Sequence, residues 1–440
     1  MRWVLMCCLG WTLHLSASGL VQAQPLSAPW EQVGTSPGAS TGEASYTSLA
    51  FGTDGKPYVA YTDVSNGSKA TVARLNAQGS GWEVVGGAGF SDGAAYRISL
   101  ALGPDGKPYV AYTDAVNGNG VTVMRLNAME TGWEVVGGVG FSDGPTSYKA
   151  LAFGPDGRPY VAFQDGSHAS KASVMRLNVG GTDWEIVGTA GFSTGQADHL
   201  SLAFSAAGKP YVAYQDHGHG NKATVMRLDG VGAAWEEVGA IGGFSAGLAE
   251  FLSLVFGPDG KPYLAYQDDT QDDKALLVRL NAAETGWELV GGNVFSAGEA
   301  DHISLAFGPD SKPYVAYTDE SYGDKATVMR LNAAGTAWET VGGMGFSAGA
   351  ADYTSLAFGP DGKPYVAFRD NSRGNMAAVM RWTRAVGPVN TSGPAPVPTL
   401  SHWALLLMGL ILAASAGAAR RFLIATNGRK RNSLKSGAYF

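Results

Sequence analysis

The amino-acid sequence predicts an all-β fold built from seven copies of one four-stranded unit. A Lys/Arg-Pro-Tyr core recurs seven times, at intervals of 51 residues and once of 52. Each repeat contains four short runs rich in β-branched and aromatic residues, and Gly, Pro, Asn or Asp separate these runs. The repeats show no apolar spacing of the helical period, so we expect no helices within them.

The strands of one repeat, here called a to d, are clearest between Ser99 and Gly138. They read Ser-Leu-Ala-Leu, Pro-Tyr-Val-Ala-Tyr-Thr-Asp, Val-Thr-Val-Met-Arg-Leu-Asn and Trp-Glu-Val-Val-Gly-Gly. A Pro- and Gly-containing turn joins strands a and b. Strands c and d form a hairpin that places Arg125 opposite Glu134, and the same pair recurs in the other repeats. A cross-strand ion pair at the outer edge explains this recurrence.

The two ends of the repeat region predict that the units close into a ring. The region begins with a lone strand d, Trp30 to Gly34, and finishes with a lone strand c, Ala377 to Trp382. In a closed ring the first strand completes the last unit, whereas an open solenoid would leave both edges unpaired. We therefore predict a seven-bladed β-propeller over residues 24–385.

Charge and cysteine content exclude two classes of function. Six basic residues and no acidic residue lie from Arg420 onward. Residues 1–419 therefore contain 25 basic and 38 acidic residues, a net charge of −13. Such a body would repel phosphates, so we expect no binding to nucleic acid. The only cysteines, Cys7 and Cys8, lie in a segment that we expect to be removed, so the mature protein has no thiol chemistry.

The segments flanking the repeats predict export. Residues 1–23 have one early cation, an apolar stretch and a small-residue cleavage site, which are typical of a signal peptide. A Pro- and Gly-rich linker covers residues 386–396, and a basic tail that we assign to the cytoplasm covers residues 422–440. Between them, residues 403–419 are uncharged and largely apolar, which predicts a transmembrane helix anchoring the propeller outside the inner membrane.

Residues 397–421 form a segment of three parts: Val397, Pro398, Thr399, Leu400, Ser401 and Trp403, then the apolar helix, then Arg420 and Arg421. This order resembles the IPTL-CTERM sorting signal of Gram-negative bacteria. The resemblance implies sorting to the cell surface or extracellular matrix by an exosortase-type protease or transpeptidase as partner. A permanent single-pass anchor is the alternative. The repeats themselves resemble a generic propeller of no recognised family.

Strand b of every repeat ends in aspartate, which places seven carboxylates on one rim of the ring. They are Asp63, Asp114, Asp165, Asp216, Asp268, Asp319 and Asp370. Every repeat needs a cap for the loop that follows, whereas a catalytic acid is needed once or twice. We interpret these residues as structural caps.

Positions that differ among the repeats are better candidates for a site. In the loops before strand a and after strand b, the candidate ligand-binding rim consists of Asp198, His199, His217, His219, Asp301 and His302. The first four could form a metal or acid/base cluster, or could be ordinary solvated loop residues. We expect no cofactor, assign no catalytic residue and leave metal binding open.

Three functions are compatible with the sequence. The first is a binding protein for a polysaccharide or a surface protein, using the variable loops. The second is a propeller hydrolase or lyase with Asp and His at the channel mouth. The third is a purely structural matrix component. The near-identity of the repeats favours the first and third.

Overall fold

The computed structural model describes residues 30–34, 38–230 and 234–384. These residues form seven four-stranded antiparallel sheets, the blades of a closed β-propeller. The predicted signal peptide, linker, sorting signal, transmembrane helix 403–419 and basic tail all lie outside the described residues. Within the described ranges, no helix has the length and apolar character needed to cross a membrane.

The 28 strands are numbered in chain order and repeat in the order a, b, c, d after the lone β1. Strands a are β2 Ala44–Phe51, β6 Ala95–Leu102, β10 Thr146–Phe153, β14 Ala197–Phe204, β18 Ala249–Phe256, β22 Ala300–Phe307 and β26 Ala351–Phe358. Strands b are β3 Pro57–Asp63, β7 Pro108–Asp114, β11 Pro159–Asp165, β15 Pro210–Asp216, β19 Pro262–Asp268, β23 Pro313–Asp319 and β27 Pro364–Asp370.

The outer half of each blade consists of strands c and d. Strands c are β4 Lys69–Leu75, β8 Gly120–Leu126, β12 Lys171–Leu177, β16 Lys222–Leu228, β20 Lys274–Leu280, β24 Lys325–Leu331 and β28 Met376–Trp382. Strands d are β5 Trp82–Val84, β9 Trp133–Val135, β13 Trp184–Ile186, β17 Trp235–Glu237, β21 Trp287–Leu289, β25 Trp338–Thr340 and β1 Trp30–Gln32. Blade 1 is β2–β5, and blade 7 is β26–β28 with β1 as its outer strand.

The ring closes as the sequence predicts. Strand β1 pairs antiparallel with β28, with Trp30 opposite Trp382 and Glu31 opposite Arg381. The Arg381 guanidinium donates to the Glu31 carboxylate, so the closing strand repeats the ion pair seen between Arg125 and Glu134. Each strand a also contacts the strands a of both neighbouring blades, so the seven strands a surround the central axis.

The core lies between blades rather than in one central mass. Seven clusters of buried side chains each combine residues of two adjacent blades. Strand b supplies four buried residues to each cluster, because it is covered on both faces. The indole Nε1 of each strand-d tryptophan donates to a backbone carbonyl of the preceding blade, at 2.7 to 3.2 Å. Every interface is thus fastened by the same indole-to-carbonyl hydrogen bond, which is buried or partly buried.

Two local features differ from the sequence-based expectation. Strand a begins about four residues earlier than Ser99, at Ala95, because a β-bulge interrupts the alternation that marks its start. The loops after strand b also contain short 3₁₀ turns, although no helix was expected. They are Val64–Asn66, Gly166–His168, His217–His219, Asp269–Gln271, Glu320–Tyr322 and Asn371–Arg373. A single 3₁₀ turn is too short to leave a periodic apolar pattern.

Candidate functional site

The β-bulge in each strand a directs one residue of every blade to the mouth of the central channel. This is the third residue of the strand, and the antiparallel register shifts around it in all seven blades. Six of these residues have a left-handed backbone although none is glycine. They are Tyr46, Arg97, His199, Phe251, His302 and Tyr353, with φ of 54°, 52°, 52°, 50°, 49° and 56°. Tyr148 is the seventh.

Six of the seven side chains are aromatic, and they contact one another in sequence around the channel. The ring centroids are 4.7 Å apart for Tyr148 and His199, 5.0 Å for His199 and Phe251, and 5.2 Å for Phe251 and His302. His302 to Tyr353 and Tyr353 to Tyr46 are both 4.8 Å. The Arg97 guanidinium carbon lies 4.0 Å from the Tyr148 ring centroid. We call these seven residues the aromatic collar.

The collar surrounds a cavity of about 590 Å³ on the channel axis. Its walls continue with the fourth residue of each strand a, which is buried in every blade. These residues are Thr47, Ile98, Lys149, Leu200, Leu252, Ile303 and Thr354. The opening is mostly aromatic, and the wall below it combines Ile and Leu side chains with Thr47, Lys149 and Thr354, so the cavity offers an organic ligand both apolar and polar contacts.

The two collar histidines act as neutral aromatic rings near neutral pH. Burial lowers the pKa of His199 to about 4, and burial also lowers the pKa of His302 to about 4. Neither imidazole is therefore protonated near pH 7. The collar carries one formal charge, that of Arg97.

Acidic residues stand beside the collar at the second position of strand a in blades 4 to 7. Burial, reinforced by the Glu299 carboxylate, raises the pKa of Asp301 to about 6, while Gln267 Nε2 donates to its Oδ1 at 3.1 Å. Burial likewise raises the pKa of Glu250, which also lines the cavity. Asp352 is neutralised by the Arg369 guanidinium. The rim of blades 4 to 6 is thus acidic.

The predicted rim residues are close together but do not act as one cluster. Asp198, His199, Asp301 and His302 lie within strands a rather than in the preceding loops, as the early start of these strands requires. Asp198 instead contacts His217, with 2.9 Å between Asp198 Oδ2 and His217 Nε2. His219 is turned to Asp216, with 3.1 Å between Nδ1 and Oδ2.

The predicted metal arrangement of Asp198, His199, His217 and His219 is therefore divided between the collar and two separate His–Asp contacts. Within the described ranges, no group of three or more His, Cys, Asp or Glu side chains is placed to hold a metal ion.

The seven aspartates at the ends of strands b are buried and accept hydrogen bonds within their own blade. Asp165, Asp216, Asp268 and Asp370 each accept from the backbone N–H two residues later, at 2.9 to 3.1 Å. In four blades a Thr or Ser of strand c also donates to the carboxylate, as Thr122 does to Asp114 at 2.8 Å. These contacts hold the loop after strand b against strand c.

Lys149 is the cavity residue that departs most from its counterparts. It replaces the Thr, Ile or Leu of the other blades, is 9% exposed, and donates to Thr113 Oγ1. Burial, with a smaller contribution from the nearby Arg97 charge, lowers its pKa to about 7. Sequence reasoning overlooked Lys149, Arg97 and Phe251. The signal that could have found them is a comparison of the third and fourth residues across all seven strands a.

The fold is similar to solved structures of other proteins. A polysaccharide lyase of family PL25, an ulvan lyase bound to -[GlcA(1-4)Rha3S]-, is 14% identical with a TM-score of 0.52, covering 83% of this chain and 100% of that chain. YCF48 bound to D1 peptide is 14% identical with a TM-score of 0.50, covering 82% and 97%. The extracellular domain of a hybrid two-component system from B. thetaiotaomicron is 10% identical with a TM-score of 0.53, covering 82% and 40%. Such identities show the fold alone.

No curated protein matches the chain. The family model described as the IPTL-CTERM motif matches residues 395–422. This match confirms the resemblance drawn from residues 397–421, and the matched segment lies outside the described residues. The protein thus combines a seven-bladed propeller with a C-terminal IPTL-CTERM sorting motif.

Proposed function

We propose that this protein is an exported propeller that binds a polysaccharide chain at the aromatic collar. The observation that carries the proposal is the unbroken run of aromatic contacts from Tyr148 through His199, Phe251 and His302 to Tyr353 and Tyr46. Sugar rings have apolar C–H faces that stack on aromatic rings, while their hydroxyl groups hydrogen-bond to neighbouring polar groups. The collar and its acidic rim offer both kinds of contact.

The backbone conformation supports a functional role for the collar. Left-handed φ costs about 1–2 kcal/mol for a residue with a Cβ, and glycine would avoid that cost. Six blades nevertheless have a side chain at this position, and five of the six are aromatic. Strain that recurs around one cavity supports a role for the side chains, because packing alone would be served by glycine or by an unbulged strand.

The sorting motif supplies the cellular context. It suggests export, localisation at the surface and processing by a sorting machinery. We propose in addition that residues 1–23 are the export signal, and that residues 403–419 anchor the chain in the membrane until an exosortase-type enzyme acts on the tail. A polysaccharide at the surface or in the matrix would then meet the collar outside the cell. The ulvan lyase of similar fold is itself bound to a saccharide.

Cleavage of the bound chain is a second candidate function. Asp301 favours it, since a carboxyl group whose pKa is raised to about 6 can donate a proton near neutral pH. Incubation with polysaccharides should then release new reducing ends or unsaturated products, and Asp301→Asn should abolish their release. Binding without products would leave the protein a non-catalytic receptor.

The binding function is tested by calorimetry on the full-length protein with a panel of neutral and acidic oligosaccharides. Replacing Tyr46 and Tyr353 together by alanine should weaken binding at least about tenfold, because the two rings, with centroids 4.8 Å apart, form one side of the cavity. Tyr322→Ala is the matched control, since Tyr322 is an exposed aromatic residue outside the collar. Equal affinity of the collar variant, the control and the wild type would refute the proposal.

A further inference from the structure

The cavity contains two cations that have no acidic partner among the described residues. The seven strand-c arginines are paired with carboxylates, and so is Arg369 on the same rim, which is bound to Asp352. Lys149 and Arg97 are the exceptions in the cavity: neither lies within ion-pair distance of a carboxylate in the ranges that the structure describes.

Lys149 is the more informative of the two. Its amine is buried and donates to the uncharged Thr113 hydroxyl, so the folded protein offers it one neutral partner there. Burying an ammonium group without a counter-charge is costly, and the equivalent residues of the other blades are Thr, Ile or Leu. A lysine at this point destabilises the empty propeller, and an anion entering the cavity would remove that cost.

Arg97 is placed to act with Lys149. It is the collar residue of blade 2, and its contact with Tyr148 brings it beside the residue that precedes Lys149 in blade 3. The contact with the Tyr148 ring does not neutralise the guanidinium charge. Arginine adds a rigid fork of N–H donors that fits the paired oxygens of a carboxylate or sulfate.

The rest of the cavity fixes the orientation of such a ligand. Glu250, from blade 5, lines the cavity, whereas the cations come from blades 2 and 3. The body of the protein is strongly acidic, which disfavours anions at its surface in general, whereas Arg97 and Lys149 favour an anion in the cavity. One side of the cavity therefore selects against negative charge and the other side selects for it.

We propose that the cavity binds an acidic saccharide, with a carboxylate or sulfate group held between Arg97 and Lys149 and the sugar rings stacked on the collar. This inference rests on the proposed function and adds the charge of the ligand. The shared chemistry is an oxyanion on a sugar, whether a uronate or a sulfate ester.

The experiment compares four saccharides by calorimetry on the full-length protein at low ionic strength and at about pH 6, where the Lys149 amine is protonated. Oligogalacturonate and its methyl ester share one backbone and differ in charge, and a chondroitin sulfate oligosaccharide provides the sulfate arm. Oligogalacturonate should bind at least about tenfold more tightly than its ester, because each charge-assisted hydrogen bond adds a factor of that order. Tighter binding of the chondroitin sulfate oligosaccharide than of unsulfated chondroitin, which keeps the uronate, would assign the anion as sulfate.

Two variants assign the selectivity to the named cations. Arg97→Tyr installs the residue found at this position in blades 1, 3 and 7, and Lys149→Leu installs that of blades 4 and 5, so both keep a native-like collar and wall. Each should bring the affinity for the acid down to that for the ester. Arg369→Gln is the control, because it removes a cation of the same rim that is already paired and installs the residue of blades 3 to 5.

Several outcomes would overturn the inference. They are equal affinity of the wild type for acid and ester, failure of every acidic saccharide to bind, and equal loss of selectivity in Arg369→Gln. The comparison of acid with ester needs no variant, so a folding defect in one of them does not remove the test. A further outcome is that acid and ester bind equally to the wild type while the double variant Tyr46→Ala, Tyr353→Ala loses affinity for the ester. In that case the charge inference fails and the proposed function stands.

Discussion

Replacing Lys149 by leucine should stabilise the empty protein, and the gain should depend on pH. Leucine occupies the equivalent position in blades 4 and 5, so the substitution keeps the shape of the cavity wall. The pKa of Lys149 is lowered from 10.5 to about 7 by burial and by the Arg97 charge. That difference corresponds to at most about 5 kcal/mol, and we expect about 2–4 kcal/mol after local relaxation.

The direction of the pH dependence follows from proton binding. Between about pH 7 and pH 10.5 the unfolded chain keeps the lysine proton and the folded protein loses it. Stability of the wild type therefore rises with pH across this interval, and the penalty is fully present below about pH 7. The groups that face the amine are the Arg97 guanidinium and the uncharged Thr113 hydroxyl. Lys149→Leu should thus gain most at acidic pH and little near pH 10.5.

Denaturant unfolding of the full-length protein at about pH 6 and about pH 10 measures both gains. Ile98→Leu is the matched control, because it changes the equivalent residue of blade 2 without changing charge, and its effect should be the same at both pH values. A Lys149→Leu gain that is equal at the two pH values would refute the argument. It would mean that the amine is solvated or neutralised in the folded protein.

Two further predictions concern the ring and its turns. Trp30→Ala should destabilise the protein by about 3–5 kcal/mol, because Trp30 stacks on Phe346 at 4.1 Å and its indole binds the neighbouring blade. Thermal unfolding measures this loss of stability. Trp82→Ala should lose less stability, since Ala39 stands where the other repeats have the stacking phenylalanine. Ser311→Gly should stabilise by less than about 1 kcal/mol, since Ser311 has φ of 61° where the other blades have glycine; a loss of stability in the same assay would contradict this.

The repeats allowed most of the architecture to be predicted from the sequence. Strand b is a fully buried apolar run bounded by Pro and Asp, and each repeat supplies independent evidence for the same unit. The lone strand Trp30–Gln32 also predicted ring closure, because its Trp-Glu pair matched the partner missing beside Arg381. Periodicity made these inferences robust, since an ambiguous strand in one blade is resolved by its counterparts in the others.

The candidate site was predicted less well because a bulge hides it. Alternation identifies a strand, and the extra residue at the start of strand a breaks it, so His199 and Phe251 resemble loop residues in the sequence. Their contact with each other depends on the ring geometry, which joins residues of adjacent repeats. Lys149 was hidden for another reason: a single lysine in a polar stretch looks solvent-exposed until the fold buries it.

The closing of blade 7 also determines how the propeller can resist mechanical force. The tail that carries the sorting motif leaves the described fold just after β28, which is held between β27 on one side and β1 on the other. A pull along that tail therefore loads two ladders of hydrogen bonds in shear, instead of peeling an edge strand one bond at a time. A surface protein held under force at that point would keep its ring closed, because both strands beside β28 share the load.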